Sequence, residues 1–240
     1  MKTRLDRLLV ERGLAESREK AQALIMAGEV WLNGQRASKP GQLADEQSRV
    51  EVTGRAPYVS RGGLKLRAAI ERFAIQVENR VCLDIGASTG GFTDCLLQHG
   101  ALRVHAVDVG AGQLDWKIRT DARVVVHDRL NARNLQPEDI GEPVDLIVCD
   151  VSFISVTVIL PALPPLLRPD AEMVILVKPQ FEVGKGQVGK GGIVREPELH
   201  RAACRKVDDA LQELGFKTAL MESPILGAEG NREFLLYARH

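Results

Sequence analysis

Five charged side chains stand at the ends of apolar runs, where a folded chain seldom places charge unless it is paired or used. Asp84 closes Arg80-Val-Cys-Leu, Asp108 closes Arg103-Val-His-Ala-Val, and Asp128 closes Arg123-Val-Val-Val-His. Asp150 closes Val144-Asp-Leu-Ile-Val-Cys, and Lys178 follows Met173-Val-Ile-Leu-Val. Carboxylates along the carboxyl edge of a parallel sheet can hold the hydroxyls and amines of a ligand. A lysine there can exchange a proton with a reacting group. One such Asp is usually only a helix cap; four at successive strand ends point to a ligand site.

Between the first two carboxylates runs a Gly-rich turn of Gly86, Ala87, Ser88, Thr89, Gly90, Gly91 and Phe92. It lets the backbone approach a ligand closely and leads into a helix over Phe92–His99. Asp108, one strand further on, is placed to bind both hydroxyls of a ribose. The glycines do not follow the G-x-G-x-x-G order of dinucleotide sites, which counts against a pyrophosphate. A ligand with adenosine but no phosphates fits, and S-adenosylmethionine is such a ligand. Gly184-Lys-Gly-Gln-Val-Gly-Lys-Gly-Gly192 is also Gly-rich and basic, yet Lys190 is followed by Gly191 rather than Ser or Thr, so it is no phosphate loop of the Walker kind.

The elements that must carry these groups are five short apolar strands alternating with helical segments, an α/β pattern. With 240 residues, 45% of them hydrophobic, the chain can build one full core and a small second domain. No apolar run approaches the roughly 20 residues of a membrane helix, and no signal peptide opens the chain, so a cytoplasmic, soluble protein is expected. Cys82, Cys95, Cys149 and Cys204 form no C-x-x-C pair; buried reduced thiols are expected, with no metal site and no disulfide.

The zero net charge hides an asymmetry. Residues 1–72 carry 14 Lys/Arg against 9 Asp/Glu, a balance of +5, and the remainder carries −5. Arg4, Arg7, Arg12, Arg18 and Lys20 interleave with Leu5, Leu8, Leu9 and Leu14 at helical spacing, Ser17 is placed to cap a second helix through Ile25, and Gly28–Gly34 reads as a strand with an Asn-Gly turn. A basic face of this kind suits an anionic partner. The run Arg18-Glu-Lys-Ala-Gln-Ala-Leu-Ile-Met-Ala-Gly-Glu-Val-Trp-Leu-Asn-Gly resembles the S4 RNA-binding domain over about residues 3–52. Such domains bind structured RNA largely through phosphates. The expected organisation is an S4 domain over 1–54, a linker over 55–60, and a second domain over 61–240.

Four further pieces extend the resemblance: Ser60-Arg-Gly-Gly-Leu-Lys-Leu66, Asp150-Val-Ser-Phe-Ile-Ser155, Val177-Lys-Pro-Gln-Phe-Glu182 and Gly230-Asn-Arg-Glu-Phe-Leu-Leu236. Together they resemble the TlyA family, also labelled haemolysin-like, of S-adenosylmethionine-dependent ribosomal RNA 2′-O-methyltransferases related to FtsJ. The resemblance implies a Rossmann-like α/β methyltransferase domain with a mostly parallel seven-stranded sheet, beside a small α+β S4 domain. It also implies a Lys-Asp-Lys-Glu tetrad, which falls on Lys65, Asp150, Lys178 and Glu233. Asp84, the turn from Gly86 to Gly91 and Phe92 are then expected on the methionine and ribose side of the cofactor, Asp108 at the ribose, and Asp128 at the adenine or in a turn cap.

Methyl transfer to a ribose hydroxyl chiefly needs alignment and the management of one proton. A lysine amine accepts that proton only when its pKa falls below the free value of about 10.4. Lys178 is the expected base and Lys65 the nearby cation; in the alternative, Lys178 stays charged and stabilises the developing alkoxide. Arg4, Arg7, Arg18, Lys20, Arg61, Lys185 and Lys190 are the expected RNA contacts, the last two on a loop closing over the RNA. The chain looks compact beside the longer family members, so a cytidine of large-subunit ribosomal RNA is the expected substrate, as naked RNA or in the subunit, with no obligate protein partner. Two readings compete: a non-catalytic S4-type RNA binder, which leaves the strand-end carboxylates and Lys178 without a task, and a haemolysin, for which no membrane-active segment is evident.

Overall fold

The computed structural model describes residues 2–33, 35–37, 39–52, 57–227 and 230–240, with backbone alone for Lys185. Gly34 of the expected Asn-Gly turn and Arg55 and Ala56 of the expected linker lie outside the described residues. The chain divides into two compact units, Met1–Pro57 and Tyr58–His240.

In the first unit, β1 (Lys2–Arg4) leads into α1 (Leu5–Glu11) and α2 (Arg18–Met26). The strands β2 (Val30–Leu32), β3 (Gln35–Arg36), β4 (Leu43–Asp45) and β5 (Val50–Val52) follow. Leu5, Leu8 and Leu9 repeat at the helical period, so α1 turns one apolar stripe inward against Ala21 and Ile25 of α2 and Val30 of β2. Ser17 caps α2 as expected, its Oγ accepting from the Lys20 amide at 3.2 Å. β1 pairs with β4, and β2 lies between β3 and β5, all antiparallel.

The second unit opens with α3 (Gly62–Phe73), then β6 (Val81–Ile85), α4 (Gly91–Gln98), β7 (Arg103–Asp108), α5 (Trp116–Arg119) and β8 (Val124–Asp128). α6 (Pro137–Ile140), β9 (Val144–Cys149), β10 (Leu167–Val177), α7 (Pro179–Glu182), α8 (Pro197–Glu213), β11 (Lys217–Glu222) and β12 (Phe234–Arg239) complete it. The seven strands lie in the order β11-β12-β10-β9-β6-β7-β8. Neighbours from β10 to β8 run parallel, whereas β12 runs against both β10 and β11.

Both faces of this sheet are covered, which is why its strands read as continuous apolar runs rather than alternating ones. On one face Leu66, Ala69, Phe92, Cys95 and Leu96 from α3 and α4 pack on Val104, Leu146 and Val148. On the other, Val207 and Leu211 of α8 and the short turns bearing Ile159, Leu160 and Leu163 pack on Leu83, Ile85, Ile147 and Ile175. All four cysteines are buried free thiols. Burial pushes Cys82, Cys95 and Cys204 up to about 12, so they carry no nucleophilic chemistry near neutral pH. This is a Rossmann-like α/β layer arrangement with one reversed strand, and its parallel strands all finish at one edge.

Candidate active site

The turn after β6 builds the centre of that edge. Gly86 adopts φ +81°, and a Cβ there would stand 2.3 Å from the Asp150 carbonyl oxygen, so only glycine lets this turn nest against the end of β9. Ser88 donates its amide to Asp108 Oδ2 at 2.8 Å, and Gly110 donates to Oδ1 at 2.7 Å, which pins the ends of β6 and β7 to each other.

Two adjoining cavities open around the turn. The first, of about 450 Å³, is lined by Gly86, Ser88, Asp108, Val109, Gln113, Leu130–Arg133 and Asp150–Ile154, among others. The second, of about 490 Å³, is lined by Arg61, Lys65, the turn residues Gly86–Thr89, Gly91, Phe92, Asp150, Ser152 and Lys178. Gly86, Ser88, Asp150 and Ser152 belong to both walls, so a ligand in one reaches the occupant of the other.

The tetrad expected from the motifs forms two ion pairs. Lys178 Nζ lies 2.5 Å from Asp150 Oδ1 and donates to Ser152 Oγ at 2.8 Å. Lys65 Nζ lies 2.5 Å from Glu233 Oε2, both side chains being about nine-tenths buried or more. Glu233 directly precedes β12, and because that strand is reversed, its beginning lies beside Val177, where β10 finishes. Asp84 is fully buried; its Oδ2 accepts from Thr93 Oγ1 at 2.6 Å and its Oδ1 has no partner. Loss of solvation, offset in part by the Thr93 hydrogen bond and reinforced by the Asp150 charge, raises it to about 7.

Asp128 Oδ2 accepts from the Gly112 amide at 3.3 Å and from Arg119 at 3.2 Å, and the cavity wall beyond β8 is made by Leu130, Asn131, Ala132 and Arg133. Among the basic residues, Arg61 lines the second cavity, Lys190 is exposed in a short turn, and the backbone of Lys185 opens the turn before it. Arg4 and Arg18 both reach the fully buried Asp6, Arg7 pairs with Glu11, and Lys20 is exposed. Ser152 and Phe153 were given no role by sequence reading. Phe153 is 91% exposed at the mouth of the first cavity with φ +66°, a strained position for an aromatic residue. An aromatic residue three positions after the strand-end acid, in the run Asp-Val-Ser-Phe, was the available signal; in the fold its ring lies 5.4 Å from that of Phe181, tilted by 51°. Among the described residues no cluster of His, Cys, Asp or Glu is arranged to hold a metal, and no helix is long and apolar enough to cross a membrane.

Residues 58–240 match the FtsJ-like methyltransferase family and residues 3–50 the S4 domain. The chain is 50% identical over 241 residues to the 16S/23S rRNA (cytidine-2′-O)-methyltransferase TlyA of Mycobacterium tuberculosis, covering 99% of this chain and 90% of the relative. It is 38% identical over 182 residues to the 23S rRNA (cytidine-2′-O)-methyltransferase TlyA of Campylobacter jejuni, covering 75% of this chain and 70% of that one. A solved structure described as a hemolysin from Streptococcus thermophilus superimposes with a TM-score of 0.77 at 45% identity, over 99% of this chain and 88% of the other.

The cofactor of such a domain is S-adenosylmethionine, and the residues present fit it. The orphaned Asp84 oxygen is a buried acceptor suited to an ammonium group, and the Asp108 carboxylate retains lone pairs for ribose hydroxyls after its two backbone bonds. With its methyltransferase domain, its S4 domain and a relative matched at half identity across nearly its whole length, the chain belongs to the TlyA family of FtsJ-like methyltransferases.

Proposed function

We propose that this protein methylates the 2′-hydroxyl of a cytidine in ribosomal RNA, with large-subunit RNA as the substrate, and that Lys65, Asp150, Lys178 and Glu233 do the work. The observation that carries the reading is the pair of lysine–carboxylate contacts in a cavity that shares a wall with the cofactor cavity. The names of the two relatives support the RNA, the nucleoside and the atom, and both include 23S.

Bound S-adenosylmethionine supplies an electrophilic methyl group that needs no further activation. The chain's part is to place a ribose oxygen in line with it and to handle the hydroxyl proton. Lys178 faces the second cavity with Asp150 and Ser152 fixing its amine, and it is the proposed proton acceptor. The Asp150 ion pair favours a second reading, in which Lys178 keeps its proton and stabilises negative charge as it develops on the oxygen. Lys65, locked by Glu233, adds a fixed positive charge to the same wall. Phe153 offers a face on which the target base can stack once it leaves its neighbours. Arg61, Lys185 and Lys190 on the catalytic domain, and Arg4, Arg7, Arg18 and Lys20 on the S4 unit, are the proposed phosphate contacts, acting in the cytoplasm without an obligate protein partner. The domain division proposed is S4 over 1–54, linker over 55–60 and methyltransferase over 61–240.

The test is methyl transfer from labelled cofactor to separated ribosomal subunits and to their naked RNAs, with the label mapped by nuclease digestion and mass spectrometry. Label on a cytidine ribose of large-subunit RNA, lost in Lys178→Ala, is expected. Label confined to small-subunit RNA overturns the substrate, and label on a base overturns the chemistry.

A further inference from the structure

Asp150 and Lys178 come from two different strand ends, and the β9–β10 ladder stops short of both, its last register pair being Ile175 with Cys149. Residues 150–156 leave the sheet at that point, yet they carry Asp150 and Ser152, the two groups that fix Lys178. One end of the segment is tied by the Asp150 amide, which donates to the Ile85 carbonyl at 2.9 Å. The other end is tied by Glu182, one helical turn after Lys178 in α7.

The Glu182 side chain is only 2% exposed and lines neither cavity. Its Oε1 accepts from the Val156 amide at 2.7 Å, and its Oε2 accepts from Ser155 Oγ at 2.5 Å and from Lys206 Nζ of α8 at 3.1 Å. Lys206 also donates to the Glu182 carbonyl at 3.0 Å and to Ser155 Oγ at 3.1 Å, so α8 braces the junction from behind. A carboxylate taken this far from water, with every donor accounted for, holds its partners to a narrow geometry.

We propose that Glu182 is a positioning residue for methyl transfer: by clamping Ser155 and Val156 it holds segment 150–156 so that Asp150 and Ser152 meet the Lys178 amine. The proposal rests on the function argued above. A displacement of about 1 Å in such a site can lower a rate by two orders of magnitude, which sets the scale of the effect.

Glu182→Gln keeps the size of the side chain and gives one of its two positions an NH₂ that cannot accept, so either Val156 or the Ser155 and Lys206 pair faces a donor. Ser155→Ala, which removes the Ser155 hydroxyl with its bonds to Glu182, Lys206 and Thr157 but leaves the Glu182 bond to the Val156 amide, serves where the first variant folds poorly. Amide hydrogen exchange on the full chain reads the clamp without activity, and steady-state methyl transfer reads its consequence. The expected result is exchange at least about tenfold faster within 150–156 with β6 and β9 unchanged, kcat down about tenfold or more, and KM for cofactor and RNA within about threefold. Unchanged exchange in 150–156, or kcat within about twofold of the parent in both variants, overturns the proposal. So does a loss spread evenly over all peptides, which marks a folding role. If the parent protein itself transfers no methyl to RNA, the function falls while the exchange data still decide whether Glu182 holds the segment.

Discussion

Lys65 and Glu233 meet at 2.5 Å across 168 residues of chain, one on the first helix of the catalytic unit and the other at the threshold of its last strand. Both side chains are about nine-tenths buried or more, so each is tolerated chiefly because the other is there.

That mutual dependence separates stability from activity. Lys65→Met is expected to destabilise the catalytic unit by about 3 kcal/mol, since it leaves a buried carboxylate without its cation. Adding Glu233→Leu should return most of that loss in urea unfolding while methyl transfer stays at least about 100-fold down. A double variant that is as unstable as the single, or that regains activity, would show that the pair is wrongly assigned.

Gly86 and Gly112 make a controlled comparison. Both have positive φ, but a Cβ at Gly86 meets the Asp150 carbonyl and one at Gly112 meets nothing within 4 Å. Gly112→Ala should cost about 1 kcal/mol of backbone strain and leave cofactor affinity alone. Gly86→Ala should weaken cofactor binding at least about tenfold by titration calorimetry, because the wall shared by both cavities must move.

Asp84 gives a pH dependence of definite sign. Its folded value, raised to about 7, lies above the ordinary 3.8, so between those values the folded protein holds a proton that the unfolded chain has released. Its contribution to stability therefore falls as pH rises across that window. Lowered values at buried His105 and half-buried His127 act in the opposite direction, so the comparison needed is the parent minus Asp84→Asn. That difference should widen in favour of the variant as pH rises, in melts of the cofactor-free protein. If Asp84 Oδ1 receives the cofactor's ammonium group, cofactor affinity of the parent should strengthen through the same window, since a cation there would favour the ionised acid.

In the S4 unit, the hydrogen bond from Arg4, helped by Gln22 and Arg18, holds the fully buried Asp6 carboxyl well below its usual range. The stabilisation is present above the ordinary value and is lost as pH falls through the folded one. Arg4→Ala and Arg18→Ala should each loosen this unit as well as weaken RNA binding, by about 2 kcal/mol of stability at most. Lys20→Ala should leave proteolytic resistance intact and only reduce the salt dependence of RNA binding. Equal behaviour of all three variants would overturn the distinction.

The strands and the Gly turn were legible because burial on both faces writes itself as unbroken apolar runs, with Asp84, Asp108 and Asp150 as the breaks. The tetrad was legible only as motif pieces. Nothing local to Lys65 announces Glu233, and nothing near Asp6 announces that a polar position of an amphipathic helix is fully buried under two arginines. Ser155, Glu182 and Lys206 escaped for the same reason, since their partners arrive from three separate elements. Asp128, read as an adenine contact or a turn cap, has its Oδ2 on the Gly112 amide and Arg119, contacts of the capping kind that the pattern it shares with Asp108 does not announce.

The reversed strand β12 enters between β10 and β11 after every other part of the sheet has been made, and it brings Glu233 with it. A nascent chain lacking that strand holds three of the four groups and leaves Lys65 buried without its acid. The set closes only when β12 pairs with β10, so the four groups come together in the same step that completes the sheet.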